Sequence, residues 1–207
     1  MEESRYIENK YDRLAKFYDL VEIPLERFLY SKWRKKYFSP LAGKILDVGT
    51  GTGKNIDYYH PMAEVTAIDI SEAMLNFAKK RLAASGREHV RLLKMDVEDL
   101  FLESDQFDYC ISNTVFCSVN HPVKGLKEVK RVLKPGGKAV MIEHVLSKKR
   151  KIAYLQGKAN PIARAIIGDN INRDTGANIV EAGLNLTLEK NLAMGDVFRL
   201  FEATKQP

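Results

Sequence analysis

Long apolar runs, paired cysteines and targeting signals are all scarce in this chain, and each scarcity removes a class of protein. No run of about 18 apolar residues occurs, so no membrane-spanning helix is expected. The opening segment, MEESRYIENKYDR, is charged and carries no apolar signal region. There are two cysteines, Cys110 and Cys117, both inside the hydrophobic stretch FDYCISNTVFCSV. That setting suits neither a disulfide framework nor a metal site. Two reduced core thiols of a cytoplasmic protein are expected, and no metal. Internal repeats and low-complexity linkers are missing as well.

The chain does have the means to build a core. Of its 207 residues 45% are hydrophobic, enough for one α/β domain and too few for two full ones. The net charge is +6 and the pI about 9.2. A basic excess favours anionic partners such as lipid headgroups, nucleic acid or acidic metabolites, without choosing among them.

Residues 1–38 read as helical. Ile7, Tyr11, Leu14, Tyr18 and Val21 recur at steps of four and three and make one apolar stripe. Pro24 interrupts it. A second helix, near Leu25 to Phe38, carries Phe28, Leu29, Trp33 and Tyr37 beside Lys32, Arg34, Lys35 and Lys36. From Gly43 strands and helices alternate. Strands are expected at Lys44–Val48, Ala63–Ile68, Val90–Met95, Phe107–Ser112 and Lys138–Glu143. One helix runs from the N-cap Ser71 to Ser85 with Gly86 as its stop. Another spans Pro122–Leu133 and is ended by Lys134-Pro135-Gly136-Gly137. Alternating βα units imply a parallel sheet covered on both faces. After them, residues 147–168 hold six cations and no acid. A short helix, Asn178–Ala182, precedes two strands, Leu184–Leu192 and Val197–Ala203, which should form a hairpin at one sheet edge around Met194-Gly195-Asp196.

Chemistry concentrates in three places. The first is Lys44-Ile45-Leu46-Asp47-Val48-Gly49-Thr50-Gly51-Thr52-Gly53, a strand running into a glycine turn and then a helix whose N-terminus would present free N–H groups. Its GxGxG spacing departs from the dinucleotide GxGxxG. Asp47 suits an ammonium group, not a pyrophosphate. The second is Asp69, twenty residues beyond Gly49, where a carboxylate can accept both ribose hydroxyls. The third is Asp96 in Lys94-Met95-Asp96-Val97-Glu98-Asp99, a candidate acceptor for an adenine amino group; helix capping by Asp96 or Asp99 is the plainer alternative.

Together ILDVGTGTG, AIDISEAML, MDVEDL, FDYCISN and RVLKPGG resemble the class I methyltransferases that use S-adenosylmethionine (SAM), above all the ubiquinone/menaquinone-biosynthesis group, methyltransferase type 11. The likeness covers about Tyr11 to His144. It implies a Rossmann-like α/β fold with seven strands, mostly parallel, the last antiparallel in a C-terminal hairpin. One domain, 1–207, would divide into an N-terminal helical lid or membrane-docking segment (1–40), a SAM-binding core (41–146) and substrate-side helices with the hairpin (147–207). By position, Gly49, Thr50, Gly51 and Gly53 with Asp47 would line the methionine part and Asp69 the ribose. Ile70 and Met74 would meet the adenine faces, Asp96 and Val97 its edge, and Asn113 or Thr114 the sulfonium. The segment Tyr11-Asp12-Arg13-Leu14-Ala15-Lys16-Phe17-Tyr18-Asp19 resembles one that folds over the cofactor in this group, so Tyr11 and Tyr18 are candidate contacts; core packing competes for both.

Transfer from SAM is a direct displacement, so alignment in a dry pocket does much of the work. If the acceptor must lose a proton, Glu143 and His144 at the end of the fifth strand, with Tyr18, are the candidate catalytic groups; His144 titrates near neutrality. His60, His89 and His121 sit in turns and read as structural. The Asn/Asp-Pro-Pro-Tyr signature of DNA and glutamine methyltransferases is lacking after the fourth strand. Aromatic residues do not interleave the basic runs, which disfavours nucleic acid. The chain is similar to bacterial phosphatidylethanolamine N-methyltransferases and, through Phe116-Cys117-Ser118-Val119, Glu143-His144-Val145 and a Gln156…Pro161…Gly168…Arg173-Asp174-Thr175 run, to thiol S-methyltransferases. A small hydrophobic or lipid-like acceptor is therefore expected, a phospholipid amine first, a thiol or quinone carbon as alternatives. An NAD-dependent oxidoreductase and a non-catalytic lipid-binding protein are the rivals from other classes; the loop spacing opposes the first, its intactness the second. Lys32, Arg34, Lys35, Lys36, Lys148, Lys149, Arg150 and Lys151 could meet an anionic membrane, at the inner face, or be plain solvated helix faces. Nothing in the sequence bears on oligomeric state.

Overall fold

The computed structural model describes residues 5–13, 15, 26–166, 168 and 170–207. Of the expected first stripe, Leu14, Tyr18, Val21 and Pro24 lie outside these. Residues 5–13 form α1. A π-helical turn, Glu26–Tyr30, leads into α2, Ser31–Tyr37. The strands are β1 (Gly43–Val48), β2 (Ala63–Asp69), β3 (Val90–Lys94), β4 (Phe107–Asn113), β5 (Leu133–His144), β6 (Asn185–Ala193) and β7 (Phe198–Thr204). The remaining helices are α3 (Glu72–Ser85), α4 (Pro122–Val132), α5 (Arg150–Ile166) and α6 (Thr175–Glu181).

All seven strands share one sheet in the order β3-β2-β1-β4-β5-β7-β6. The first five are parallel, and β7 pairs antiparallel with both β5 and β6. The expected edge hairpin is therefore present, and it inserts its second strand next to β5.

The apolar strands are explained by burial on both faces. Side chains alternate across a strand. In β1, Ile45 joins a cluster with Trp33, Phe38, Ile142 and Phe198 on one face. Its neighbour Leu46 joins Leu126, Val129, Ile179 and Phe201 on the other. Each such side chain fully buried contributes roughly 1.5–3 kcal/mol. Cys110 is in the second cluster, and burial pushes its thiol pKa upward.

Capping sets the helix ends. Ser71 accepts from the Met74 N–H at the start of α3, and Gly86 closes it at φ 66°. The Asp174 side chain caps α6, which begins three residues before the expected Asn178. Two other boundaries depart from expectation. Lys134–Gly137 is strand backbone: Leu133 already pairs with Phe107, and a register shift before Tyr109↔Lys138 absorbs the extra residues. The second N-terminal helix is short and starts in a π turn, and its charged side is not wholly solvated. Arg34 is 4% exposed and ion-paired to Glu26. That removes it from any surface patch. Trp33 is buried too, with its ring against Tyr30 and Phe198.

Candidate functional site

Strand order runs outward in opposite directions from β1 and β4, so the connections leave a crevice at their carboxyl ends. A cavity lies there. Val48 and Gly49 from β1, Asp69 and Ile70 from β2, and Asn113 and Thr114 from β4 line it, and α1 covers it with Ile7 and Tyr11.

The glycine loop forms its floor. At Gly49, φ is +64° and a Cβ would stand 2.5 Å from Val115, so only glycine fits. The Gly51 N–H donates to Asp69 Oδ2 at 2.8 Å. A Cβ on Gly51 would meet nothing within 4 Å. Gly53 is different: its Cβ would come within 3.0 Å of Ala78 in α3, so it sets loop-to-helix packing and does not line the cavity. Thr50 faces a smaller adjoining pocket, which shares Gly49, Gly51, Asn113 and Thr114 with the first and adds Arg34 and Lys54. The helix expected after the loop is a three-residue 3-10 turn, Ile56–Tyr58. It is too short to offer a pyrophosphate the aligned dipole of a dinucleotide site.

Asp47 does not reach the cavity. Its carboxylate is fully buried under the loop, accepting from Asn55 Nδ2 at 2.9 and 3.0 Å and from the Tyr59 hydroxyl. Asn55 in turn accepts from Arg34 Nε at 2.6 Å. The expected direct contact with an ammonium is replaced by a structural network, because neighbouring side chains already occupy the oxygens. Burial raises the Asp47 pKa to about 6, against the hydrogen bonds from Tyr59 and Asn55.

Asp69 is partly buried and faces the cavity. Its pKa also rises to about 6 through burial, opposed by the Ser71 and Gly51 N–H groups. Each oxygen accepts one backbone hydrogen bond and keeps a lone pair for a ligand. Ile70, Met74, Asp96 and Val97 all line the same cavity. Asp96 Oδ1 accepts from the Glu98 N–H at 2.9 Å, a local turn that leaves its other oxygen clear of that bond.

The loop after β4 supplies the far wall. Asn113 Oδ1 is buried with no hydrogen-bond partner. Thr114 holds φ +55°, a strained position for a β-branched residue, fixed by its N–H to Ile142 O at 2.7 Å. Glu143 is not in the cavity. It is fully buried and accepts from Ser112 Oγ and the Val115 and Phe116 N–H groups, so it shapes this loop. His144 stacks edge-on against Phe198 at 5.4 Å and does not line the described cavity. Burial holds its imidazole below the ordinary value, hence neutral near pH 7.

Helix α1 is tied across the mouth. Asp12 accepts from Ser71 Oγ and the Ala73 N–H, Glu8 pairs with Lys94, and Lys10 donates to the Arg164 carbonyl at 2.6 Å. Tyr11 joins the cavity wall; Tyr18 lies outside the described residues. Sequence reasoning missed Ile7, Met95, Glu98 and Ser118–Asn120 as cavity walls, and Arg34 and Lys54 beside the loop. Lys54, right after the last glycine, carried a usable signal. Arg34 carried none, being one cation in a basic run.

Comparison with known proteins gives the family. The methyltransferase domain model matches residues 46–141. A ubiquinone/menaquinone biosynthesis C-methyltransferase (UbiE) of Desulfotalea psychrophila is 30% identical over 202 residues, 93% of this chain and 80% of its own length. A phosphatidylethanolamine N-methyltransferase of Cereibacter sphaeroides is 31% identical over 116 residues, 56% of this chain and 57% of its own. The crystal structure of an Aquifex aeolicus SAM-dependent methyltransferase superposes with a TM-score of 0.64 at 24% identity, over 87% of this chain and 92% of that one. With a crevice at the switch point, a GxGxG loop followed by only a 3-10 turn and relatives of this kind, the chain belongs to the methyltransferase type 11 family and is a Rossmann-like, SAM-dependent methyltransferase.

Proposed function

We propose that the protein transfers the SAM methyl group to the amine of a phospholipid-like acceptor. One observation carries this reading. The cavity wall holds three carboxylates, Asp69, Asp96 and Glu98, and no Lys, Arg or His among the described residues. Its remaining surface is largely apolar, from Ile7, Val97, Val115 and Val119. With Asp69 and Asp96 assigned to the cofactor and Glu98 already paired with the His121 N–H and ring, the wall left for the acceptor is mostly uncharged and gives an anionic thiolate or enolate no counter-charge. An amine with an apolar body fits it better.

The residues fit the cofactor on three counts. Asn113 Oδ1 is an orphaned buried acceptor, Gly51 leaves open space, and the wall charge suits a sulfonium. In this reading Asp69 accepts the ribose hydroxyls, Ile70 and Met74 flank the adenine, and Asp96 with Val97 meets its edge. Gly49, Thr50 and Gly51, with Arg34 and Lys54, hold the methionine end, and Asn113 and Thr114 face the reacting centre. SAM supplies an already activated methyl. The chain's part is to hold the acceptor nitrogen in line and keep water out under α1. Asp47, Gly53 and Glu143 act as positioning residues. The chain works as one unit, with α1 as lid, 41–146 as core and 147–207 on the acceptor side, in the cytoplasm at the inner membrane face.

The test is methyl-labelled SAM offered with phosphatidylethanolamine, a hydrophobic thiol and a demethylated quinone in parallel. Label in mono- or dimethylated phosphatidylethanolamine is expected. Label in the thiol or quinone alone would overturn the acceptor assignment and leave the methyltransferase identity standing.

A further inference from the structure

Among the helices that do not line the cofactor cavity, α5 has an unusual outer face. Between residues 147 and 168 there is no Asp or Glu. Helix α5, Arg150–Ile166, lies inside that stretch. Tyr154, Leu155 and Ile162 are 65%, 64% and 64% exposed. At 3.6 residues per turn these three, with Lys151 and Lys158, fall within an arc of about 100°. The opposite side anchors the helix: Gln156 is buried and bonds to Ser147, Val145 and Ile171, and Ile152 packs in the Trp33–Phe198 cluster. A single exposed leucine is ordinary; a triad of large apolar residues on one arc, flanked by cations, is a patch.

We propose that this face of α5 docks the protein on an anionic lipid bilayer. Three features select a membrane over a protein partner or a second copy. The patch is purely basic, so two copies facing each other would repel. Lys158 Nζ sits 5.7 Å over the Tyr154 ring, leaving a long stem and an amphipathic ring at the rim of the patch, as a lipid–water boundary favours. The helix is amphipathic and no helix among the described residues is long and apolar enough to span a bilayer, so it can lie in the interface. Lys32, Lys35 and Lys36 of α2 offer charge without such an apolar arc among the described residues, where Phe28 is their one exposed large apolar neighbour. Docking by α5 also has a geometric consequence. Its last turn holds α1 through Lys10 and the Arg164 carbonyl, so the helix that covers the cavity would sit beside the lipid. The proposal deepens the lipid-acceptor reading by naming the surface that meets the lipid, yet it is measured independently of methyl transfer.

Co-sedimentation of the full chain with vesicles tests it. Binding is expected to phosphatidylcholine vesicles holding about one third phosphatidylglycerol, and not to phosphatidylcholine alone. Tyr154→Ser/Leu155→Ser/Ile162→Ser should weaken it by about tenfold or more, with SAM binding and the circular dichroism spectrum kept as evidence of folding. Lys151→Gln/Lys158→Gln should also weaken it and flatten its salt dependence. Wild-type-like binding by a folded triple variant overturns the proposal. So does loss of binding only on Lys32→Gln/Lys35→Gln/Lys36→Gln, or a wild-type dimer that the triple variant splits while vesicles are ignored. Methylation of phosphatidylethanolamine in detergent without vesicle binding would sink the docking surface alone. Docking without that methylation would sink the acceptor alone.

Discussion

Two aspartates at the ends of neighbouring strands have almost the same electrostatic history and opposite uses. Asp47 is the penultimate residue of β1 and Asp69 the last of β2, and burial lifts both from 3.8 to about 6. Beneath the glycine loop, Asp47 spends its oxygens on Asn55 and Tyr59. Above it, Asp69 spends one bond per oxygen on backbone and turns the remainder to the cavity. A buried carboxylate is thus structural or functional according to what completes its hydrogen bonds, and desolvation alone does not distinguish the two.

The sharpest way to break this comparison is to delete each carboxylate. Asp47→Ala leaves the Asn55 amide and the Tyr59 hydroxyl without their acceptor, and should cost about 3 kcal/mol of stability, read by urea denaturation. Asp69→Ala should instead weaken SAM binding by about a hundredfold in calorimetry, with a smaller loss of stability. If the two variants fell equally in both assays, the division between floor and wall would be wrong.

A pH series sharpens it further. Ribose hydroxyls favour ionised Asp69, so below its raised pKa binding must first release a proton. SAM affinity should climb about tenfold per pH unit up to about pH 6 and level off above, and Asp69→Asn should abolish that slope. For folding the sign is reversed. The native state holds protons on these two groups that the unfolded chain releases between about pH 4 and 6. The stability they confer is complete below about pH 4 and lost as pH rises through about 6, a fall that Asp47→Asn should reduce.

The smallest effects come from the glycines of the same loop. Gly53→Ala pushes a methyl against Ala78 and Ile56 and should cost about 1–3 kcal/mol while leaving the cavity wall intact. Gly51→Ala meets no neighbour but sits at φ +57°, so about 1 kcal/mol of strain is expected. Its methyl would enter the cavity, so the larger loss should be in SAM affinity. Thermal melts with and without SAM separate the two.

Much of this was legible in one dimension. The parallel core followed from apolar runs broken at Gly43, Gly86 and Pro122, and the crevice from GxGxG and an acid twenty residues on. Asp69, Ile70, Met74, Asp96, Val97, Asn113 and Thr114 do meet in one cavity. Local pattern is enough for these because all but Met74 sit at or just past the carboxyl end of a strand, Met74 lies in the first turn of the helix after β2, and parallel pairing aligns those ends. Where the sequence ran out, partners distant in the chain were responsible. Arg34 and Asn55 are 21 residues apart, Glu143 and Ser112 are 31, and Ser147 and Asp196 are 49. Composition alone made Arg34 a surface cation and Glu143 with His144 a candidate base pair. Burial and hydrogen bonding from other elements turned the first into a buried ion-pair partner, the second into a loop anchor and the third into a ring stacked on Phe198. The sequence by itself determined the strand-helix alternation, the cofactor loop and the family. Only the tertiary structure decided which polar groups are spent on the protein and which remain for a ligand, because a side chain's hydrogen bonds are completed by neighbours in space.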